Sequence, residues 1–451
     1  MVSSEKAPVA APFRKLLGKD MTNIASQRVA LFGAEGRLKQ HAESYVATLA
    51  QKNPSVLAFV PEQDRRARVL YESQEIFERW EQAERVPTLY GIPVGIKDII
   101  QVAGLETRAG SALPTSCFEG EEAACVKRLR DAGAFVLGKT VTAEFACREP
   151  GATRNPHNPA HTPGGSSSGS AAAVAAGLCS LALGSQTVGS VIRPAAFCGI
   201  VGFKPSYDRI PTEGMLYFSQ SVDHVGAFAG NMQDMLEAAS VLLNDWSTEA
   251  LDDATSDPVL GVPVGRYLQQ TQSDGLGGFE RTLLRLQESG IEVKRFLALD
   301  DIEEIARRHD ALTTAEFAQV HAELFRDYGA LYRPISARLV ERGAQLGAEE
   351  IEIGRASRLA LRQTLADLMA THGIDAFVCP AATGGAPRGL GHTGNPAMNL
   401  PWTHAGVPAI TVPAGSVAAE GGELPLGLQF AAGYGEDEKL LAIAARLESR
   451  V

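Results

Sequence analysis

A lysine and two serines carry the residue types of a nucleophilic active site. Lys97 ends the apolar run YGIPVGIK, Ser166 lies in the stretch HTPGGSSSGS, and Ser190 lies in GSQTVGSVIRP. A serine attacks a carbonyl only when a neighbouring base takes its proton. Lysine can be that base when burial lowers its pKa from about 10.4. The nine histidines show no triad pattern, so Lys97 is the candidate base.

The stretch from residue 161 to 177 admits three interpretations. A flexible linker would be followed by polar sequence, but SAAAVAAGLCSLALG (170–184) predicts a buried helix of small residues. A phosphate loop would carry the pattern GxxxxGK followed by Ser or Thr, which is absent, although an anion at the start of the helix stays open. The third interpretation is half of an active site. The tight turn around Ser190 supplies the other half, because its backbone N–H groups can face one concavity.

Three zones of the chain must position these residues. Apolar residues at helical spacing predict two or three amphipathic helices within 20–85. Between residues 90 and 241, strand-like runs at 91–100 and 133–140 alternate with helical segments such as 121–133, as in an α/β sandwich. Residues 300–372 are again helical. Strand-like runs then follow at 375–382, 407–415 and 424–433, before a closing helix.

The composition limits the partners. With 42 basic and 53 acidic residues the net charge is −11, which argues against nucleic acid or an anionic membrane as partner. Six cysteines without a CxxC pair indicate reduced thiols and a cytoplasmic protein. The first residues hold no apolar run typical of a signal peptide or a membrane span. His157 and His161 lie in a Pro-rich loop without a third ligand, so we expect neither a metal nor another cofactor.

Three separated motifs resemble the amidase signature family. They are GIPVGIKD (91–98), TRNPHNPAHTPGGSSSGSAAAVAAG (153–177) and GSQTVGSVIRPAAFCGIVGFKPS (184–206). Further matches at 133–145, 399–415 and 425–448 extend the resemblance over about 85–240 and 375–448. The family implies a single large α/β/α sandwich with a central mixed, mostly parallel twisted sheet covered by helices. It also implies a helical segment at 1–85 packed on a catalytic domain at 86–451, whose helical excursion spans about 300–372.

The resemblance implies a Ser–cisSer–Lys triad. Ser190 would be the nucleophile that forms an acyl-enzyme, Ser166 would relay the proton between Ser190 and Lys97, and Lys97 would act as the neutral base. The peptide bond before Ser166 would be cis. Ser167 and Ser168 would support the turn. The oxyanion hole would consist of the backbone N–H groups of four consecutive residues: Thr187, Val188, Gly189 and Ser190.

The sequence departs from the family pattern beside the nucleophile. Members usually carry Asp-Thr-Gly-Gly-Ser, whereas this chain has Gln186-Thr187-Val188-Gly189-Ser190. A valine disfavours a positive φ at position 188, but its N–H group remains. We therefore expect the oxyanion hole to persist and the Val188 side chain to narrow the acyl pocket.

Two features bear on the substrate. Arg193, in a setting similar to malonamidase-type members, is either a carboxylate clamp for small acid-amides or a structural ion-pair residue. In the stretch 214–226, Met215, Tyr217 and Phe218 either line an apolar substrate cleft or belong to the core. An apolar cleft favours non-polar amides, anilides, carbamates (urethanes) or esters.

The sequence thus predicts an amidase that acts on a small-molecule amide or carbamate without a cofactor, and a homodimer is left open. Two other hypotheses remain. One is the glutaminase subunit of a tRNA-dependent amidotransferase, which shares these motifs but works with partner subunits. The other is a binding protein on an inactive amidase scaffold, which the intact triad positions disfavour.

Overall fold

One sheet of ten strands forms the centre of the molecule. The computed structural model describes residues 23–33, 35–252 and 256–451. Across the sheet the strand order is β2-β1-β3-β5-β4-β9-β10-β8-β6-β7, so strands far apart in the sequence lie side by side. In chain order the strands are β1 Pro93–Lys97, β2 Phe135–Thr140, β3 Leu181–Gln186, β4 Val201–Lys204, β5 His224–Ala229, β6 Leu260–Val264, β7 Val293–Leu297, β8 Ala376–Pro380, β9 Ala409–Ala419 and β10 Gly422–Ala431.

Parallel pairing is confined to the two sides of the sheet. β1 pairs in parallel with β2 and β3, and β6 pairs in parallel with β7 and β8. The pairs that run from β3 through β5, β4, β9 and β10 to β8 are antiparallel. The sheet is mixed, as predicted, but the expectation that these described strands pair mostly in parallel is wrong. Antiparallel pairs are in the majority because β5 enters between β3 and β4 and because β9 and β10 form a hairpin.

Helices cover both faces of the sheet, which confirms the predicted α/β architecture. Alternate residues of a strand point to opposite faces. On β2, Phe135 and Leu137 accordingly join one apolar cluster while Val136 joins another. The helices are α1 Ile24–Leu31, α2 Glu35–Val56, α3 Arg65–Trp80, α4 Ala124–Asp131, α5 Ser168–Ala175, α6 Ile192–Cys198, α7 Met232–Leu242, α8 Thr248–Asp252, α9 Ser273–Glu288, α10 Ile302–Tyr328, α11 Pro334–Gly343, α12 Ala348–His372, α13 Leu400–Ala405 and α14 Asp437–Leu447.

The first three helices pack on the sheet. Leu38 and Leu49 of α2 and Val69 of α3 belong to the same buried cluster as Phe135 and Leu137 of β2. The predicted helices of 20–85 thus correspond to α1–α3, and those of 300–372 correspond to α10–α12. The division into a segment 1–85 and a domain 86–451 stays a prediction. Residues 1–22 of that segment lie outside the described residues.

The small-residue segment after the serines is not one helix. The expectation of a helix over 170–184 is wrong: α5 ends at Ala175, Gly177 adopts a left-handed conformation with φ of 66°, and β3 begins at Leu181. Glycine reaches this conformation without the steric cost of a Cβ atom. The turn sends the chain back along the sheet, which brings the serine-rich stretch and the end of β3 together.

Across the described ranges, no helix combines the length and the apolar character that crossing a bilayer requires. All six cysteines are free thiols.

Gly169 allows the start of α5 to approach the sheet closely. A Cβ atom at this position would lie 2.3 Å from the carbonyl oxygen of Ala58 and 2.3 Å from the backbone nitrogen of Val141. We expect Gly169→Ala to lower the free energy of unfolding by about 1–3 kcal/mol or more, because backbone atoms must move. Chemical denaturation measures the change.

The matched control is Gly36→Ala in α2, where a Cβ atom would meet nothing within 4 Å. This variant should be neutral or stabilising by about 0.5–1 kcal/mol. Equal stabilities of the two variants would contradict the close approach at Gly169.

Candidate active site

Lys97 is buried at the end of β1. Its side chain is 0% exposed, and its Nζ atom donates hydrogen bonds to Ser166 Oγ and Ser185 Oγ, each at 2.7 Å. Burial disfavours the charged form and lowers the pKa of Lys97 to about 7, while the charge of Asp223 acts in the opposite direction. A lysine with this pKa is neutral in a large fraction of molecules near neutral pH and can accept a proton.

Ser166 lies in a turn that packs against the start of α6. The Gly165–Ser166 peptide bond is cis, as predicted. Gly164 has a φ of 85°, and a Cβ atom there would lie 2.8 Å from the Cα atom of Pro194. The carbonyl of Ser166 accepts a hydrogen bond from the backbone N–H of Ala143. The Ser166 hydroxyl is therefore fixed beside Lys97.

Ser167 ties this turn to β3. Its hydroxyl accepts a hydrogen bond from the N–H of Ser185 and donates one to the carbonyl of Ser185, both at 3.2 Å. Ser170 in turn donates to the carbonyl of Leu183 at 2.8 Å. Ser168 makes only long contacts, at 3.4 Å to the Val141 carbonyl and 3.5 Å to Thr153. The contacts of Ser167 agree with a supporting role, whereas a supporting role for Ser168 stays a prediction.

The turn of residues 187–190, which joins β3 to α6, presents backbone donors. Within the described residues, the N–H groups of Val188, Gly189 and Ser190 donate no hydrogen bond. Val188 does not adopt a left-handed conformation, as its β-branched side chain predicts. At Gly189 there is no room for a side chain, because a Cβ atom there would lie 2.3 Å from Asn399 Oδ1. An oxyanion hole at this turn stays a prediction, and the free donors are those that it requires.

Gln186 and Thr403 hold the 187–190 turn through hydrogen bonds. Gln186 Oε1 accepts from the N–H groups of Val191 and Ile192 at 2.8 and 3.0 Å. Gln186 Nε2 donates to Thr403 Oγ1 at 2.9 Å, and that hydroxyl donates to the carbonyl of Val188 at 2.7 Å. The glutamine that replaces the family's aspartate therefore anchors the turn with both ends of its amide.

The proton path to Ser190 is only half assembled. Ser166 is hydrogen-bonded to Lys97, but among the described residues no hydrogen bond joins Ser166 to Ser190. Ser190 is 9% exposed. Catalytic hydrogen bonds are often formed only once substrate is bound. The relay from Ser190 through Ser166 to Lys97 stays a prediction.

Arg193 is buried without a carboxylate partner. Its Nη2 atom donates to the carbonyl of Gly165 at 2.6 Å and to Thr393 Oγ1 at 3.2 Å. Its Nε and Nη1 atoms have no hydrogen-bond partner among the described residues. Burial and the charge of Arg148 lower its pKa to about 9. The interpretation as a structural ion-pair residue is therefore wrong within the described part of the chain.

The segment 214–218 runs beside the residues that follow β1. Met215 is buried in the core and bridges to Ile100. Tyr217 bonds through its hydroxyl to Thr212, and the ring of Phe218 lies 4.6 Å from that of Phe317. Contact of Met215, Tyr217 or Phe218 with a substrate stays a prediction.

Three residues that act on Lys97 or on the 187–190 turn were missed by the sequence analysis: Ser185, Asp223 and Thr403. Asp223 accepts from the Thr187 hydroxyl, and its effect on Lys97 is electrostatic. A signal was present, because Asp223 is the only carboxylate between Glu213 and Asp234 and directly precedes β5. Ser185 and Thr403 carried no such signal, since hydroxyls beside strands and in short helices are common.

The site has the groups for acyl transfer and no evident metal centre. A buried lysine, two hydroxyls and free backbone donors lie together at one end of neighbouring strands. Across the described ranges, no group of three or more His, Cys, Asp and Glu side chains could hold a metal ion. His157 and His161 bond instead to the backbone carbonyls of Cys198 and Ala386.

Comparison with known proteins covers nearly the whole chain. Residues 42–441 match the family model described as Amidase. A glutamyl-tRNA(Gln) amidotransferase subunit from Synechococcus sp. (strain CC9605) is 30% identical over 95% of this chain and 96% of its own length. Among solved structures, one described as an amidase is 30% identical with a TM-score of 0.82 and covers 95% of this chain and 100% of its own. A peptide amidase in complex with the competitive inhibitor chymostatin is 26% identical with a TM-score of 0.80, over 95% and 97%.

Thr403 offers a test of how the 187–190 turn is held. In Thr403→Val the shape is kept, but Gln186 Nε2 and the Val188 carbonyl lose their buried partner. We expect the free energy of unfolding to fall by about 1–3 kcal/mol in chemical denaturation.

Thr364→Val is the matched control, because Thr364 is exposed on α12 and bonds only to the carbonyl of Ala360. Its stability should stay within about 0.5 kcal/mol of the wild type. A Thr403 variant as stable as this control would show that the bonds contribute nothing.

Proposed function

The chain belongs to the amidase signature family, and on this premise we propose that it hydrolyses the C–N bond of small-molecule amides through an acyl-enzyme on Ser190. The observation that carries the proposal is the fully buried Lys97, bonded to Ser166 and with its pKa lowered to about 7. A lysine without a direct ion pair, held next to a serine, is suited to proton transfer and contributes little to stability.

The reaction would begin with transfer of the Ser190 proton to Ser166 as Ser166 passes its own proton to neutral Lys97. The Oγ atom of Ser190 would attack the substrate carbonyl, and the N–H groups of residues 187–190 would stabilise the oxyanion. One such donor is worth roughly 3–4 kcal/mol in the transition state. Ser166 would then protonate the leaving amine, with Lys97 restoring its proton. In the second half, water would take the place of the amine. Its proton would pass through Ser166 to Lys97 as its oxygen attacks the acyl-enzyme, and Ser166 would return a proton to Ser190 as the acid leaves.

The same acyl chemistry extends to anilides, carbamates (urethanes) and esters. All of these substrates present a carbonyl to Ser190 and a leaving group that one proton assists. A half-apolar wall formed by Met215, Tyr217 and Phe218 would favour non-polar members of this set. Val188, half-buried in the turn, would narrow the acyl side.

A second candidate is hydrolysis of small acid-amides with Arg193 as the carboxylate clamp. The supporting observation is that two donors of this buried guanidinium, Nε and Nη1, have no partner in the described part of the chain. An unpaired buried cation is costly, and a substrate carboxylate would compensate it with two parallel hydrogen bonds.

A third candidate is a component of a multi-chain amidotransferase, because curated relatives at 30% identity carry that name. Such a component would act together with partner chains. Hydrolysis of a simple amide by the purified chain alone would favour the stand-alone amidase, whereas activity only with added partners would favour the amidotransferase.

Replacement of the proposed nucleophile and base tests the reaction directly. Ser190→Ala and Lys97→Met should each lower kcat/KM on any accepted amide by roughly three orders of magnitude or more, because the members of a catalytic triad act as a unit. A fluorophosphonate should label Ser190 in the wild type, as mass spectrometry of the labelled peptide would show.

The matched control is Ser168→Ala, since the Ser168 hydroxyl makes only long contacts. It should keep most of the wild-type turnover. Retained activity in Ser190→Ala, or labelling at Ser167 or Ser168, would contradict the assignment of the nucleophile.

A substrate panel separates the first two candidates. Steady-state rates for a malonamate-type acid-amide, benzamide, an anilide and an aryl carbamate are compared between wild type and Arg193→Ala. A clamp predicts a selective loss for the anionic substrate, of about 100-fold if a charge-assisted pair of roughly 3 kcal/mol is removed. A uniform change over all four substrates would contradict the clamp and favour the broad apolar pocket.

A further inference from the structure

We propose that Asp223 is a positioning residue of this site, which fixes the 187–190 turn through Thr187 and sets the charge balance around Lys97. The proposal rests on the amidase reaction proposed above. Asp223 itself would touch no substrate atom and would act through two parts of the site, the 187–190 turn and Lys97. Asp223 lies one residue before β5, accepts a hydrogen bond from Thr187 and acts on Lys97 through its charge.

The carboxylate of Asp223 is nearly saturated with donors. One oxygen accepts a hydrogen bond from the Thr187 hydroxyl. The other accepts from the backbone N–H groups of Phe218 and Ser219, at 2.6 and 3.0 Å. The residue is 3% exposed. Because both oxygens are held, the Thr187 side chain has a fixed acceptor, which limits the positions open to the first residue of the 187–190 turn.

A second buried carboxylate holds the segment that carries Asp223. Glu316 of α10 accepts from the Ser219 hydroxyl at 2.6 Å and from the Ser221 N–H at 2.9 Å. Arg355 of α12 pairs with Glu316 at 2.9 Å. Two long helices thus anchor residues 219–221, and the position of Asp223 does not depend on its own bonds alone.

The charged surroundings of Lys97 are simple. Its polar neighbours are the hydroxyls of Ser166 and Ser185, and the charge that acts on it is that of Asp223. The groups that face Asp223 are Thr187, the N–H groups of Phe218 and Ser219, and Lys97. A negative charge near a buried lysine favours the protonated form. The charge of Asp223 therefore opposes the effect of burial and keeps the pKa of Lys97 from falling further.

This balance has a definite sign. A base must be neutral, so turnover rises with pH through the pKa of Lys97. Removal of the Asp223 charge lowers that pKa, and the acid limb of the pH–rate profile moves to lower pH. A residue with only a structural role would lower the rate or the stability and leave the limb in place.

The experiment compares pH profiles of kcat for the wild type and four variants on one amide that the wild type accepts. Asp223→Asn keeps an oxygen acceptor but removes the charge, and we expect its acid limb to move to lower pH by about half a unit or more. Thr187→Val removes the hydroxyl bond to Asp223, and we expect the plateau value of kcat to fall about 3–10-fold. The control is Asp367→Asn, which makes the same substitution at an exposed position of α12. Its pH profile should match that of the wild type.

Two outcomes would overturn the proposal. One is an Asp223→Asn profile whose limb coincides with that of the wild type. The other is a Thr187→Val variant with wild-type kcat, and this arm remains informative if Asp223→Asn does not fold. Thr187→Ser, which retains the hydroxyl, should keep the kcat of the wild type. Activity that survives Ser190→Ala would instead refute the reaction itself, so the two failures are distinguishable.

Discussion

The burial of Lys97 is the constraint on which the rest of the site depends. An ammonium group removed from water loses its hydration, and a protein normally compensates with a directly bonded carboxylate. Here Nζ donates to two hydroxyls, and the charge that acts on it is that of Asp223, with no direct ion pair to Lys97 among the described residues. The neutral form is thereby favoured. Each surrounding element must exclude water from this atom while leaving it a proton path.

Three chain segments meet this requirement by close packing at glycines. The turn before α5 approaches α6 through Gly164, the 187–190 turn approaches Asn399 through Gly189, and the start of α5 approaches the sheet through Gly169. Side chains then join the segments with hydrogen bonds to the backbone, as Ser167, Gln186 and Thr403 do. Small residues bring the segments together, and polar side chains fix their relative positions.

The sequence allowed some of this to be predicted, for physical reasons that differ between elements. Lys97 was predictable because a charged residue at the end of an apolar run requires an explanation. Five of the ten described strands, β1, β2, β8, β9 and β10, were predictable as apolar runs bounded by turn residues. Their pairing was not, since local periodicity defines a strand but not its neighbour, and the antiparallel entry of β5 between β3 and β4 was therefore missed. Asp223 was missed with it, because its role depends on where β5 starts.

The hydroxyl of Ser167 forms hydrogen bonds with both the N–H and the carbonyl of Ser185, as the backbone of a neighbouring strand would. This pairing makes the serine-rich turn part of the same cooperative unit as the central sheet, because neither can open without loss of the other's hydrogen bonds. Local opening of the serine-rich turn would then also disturb β3.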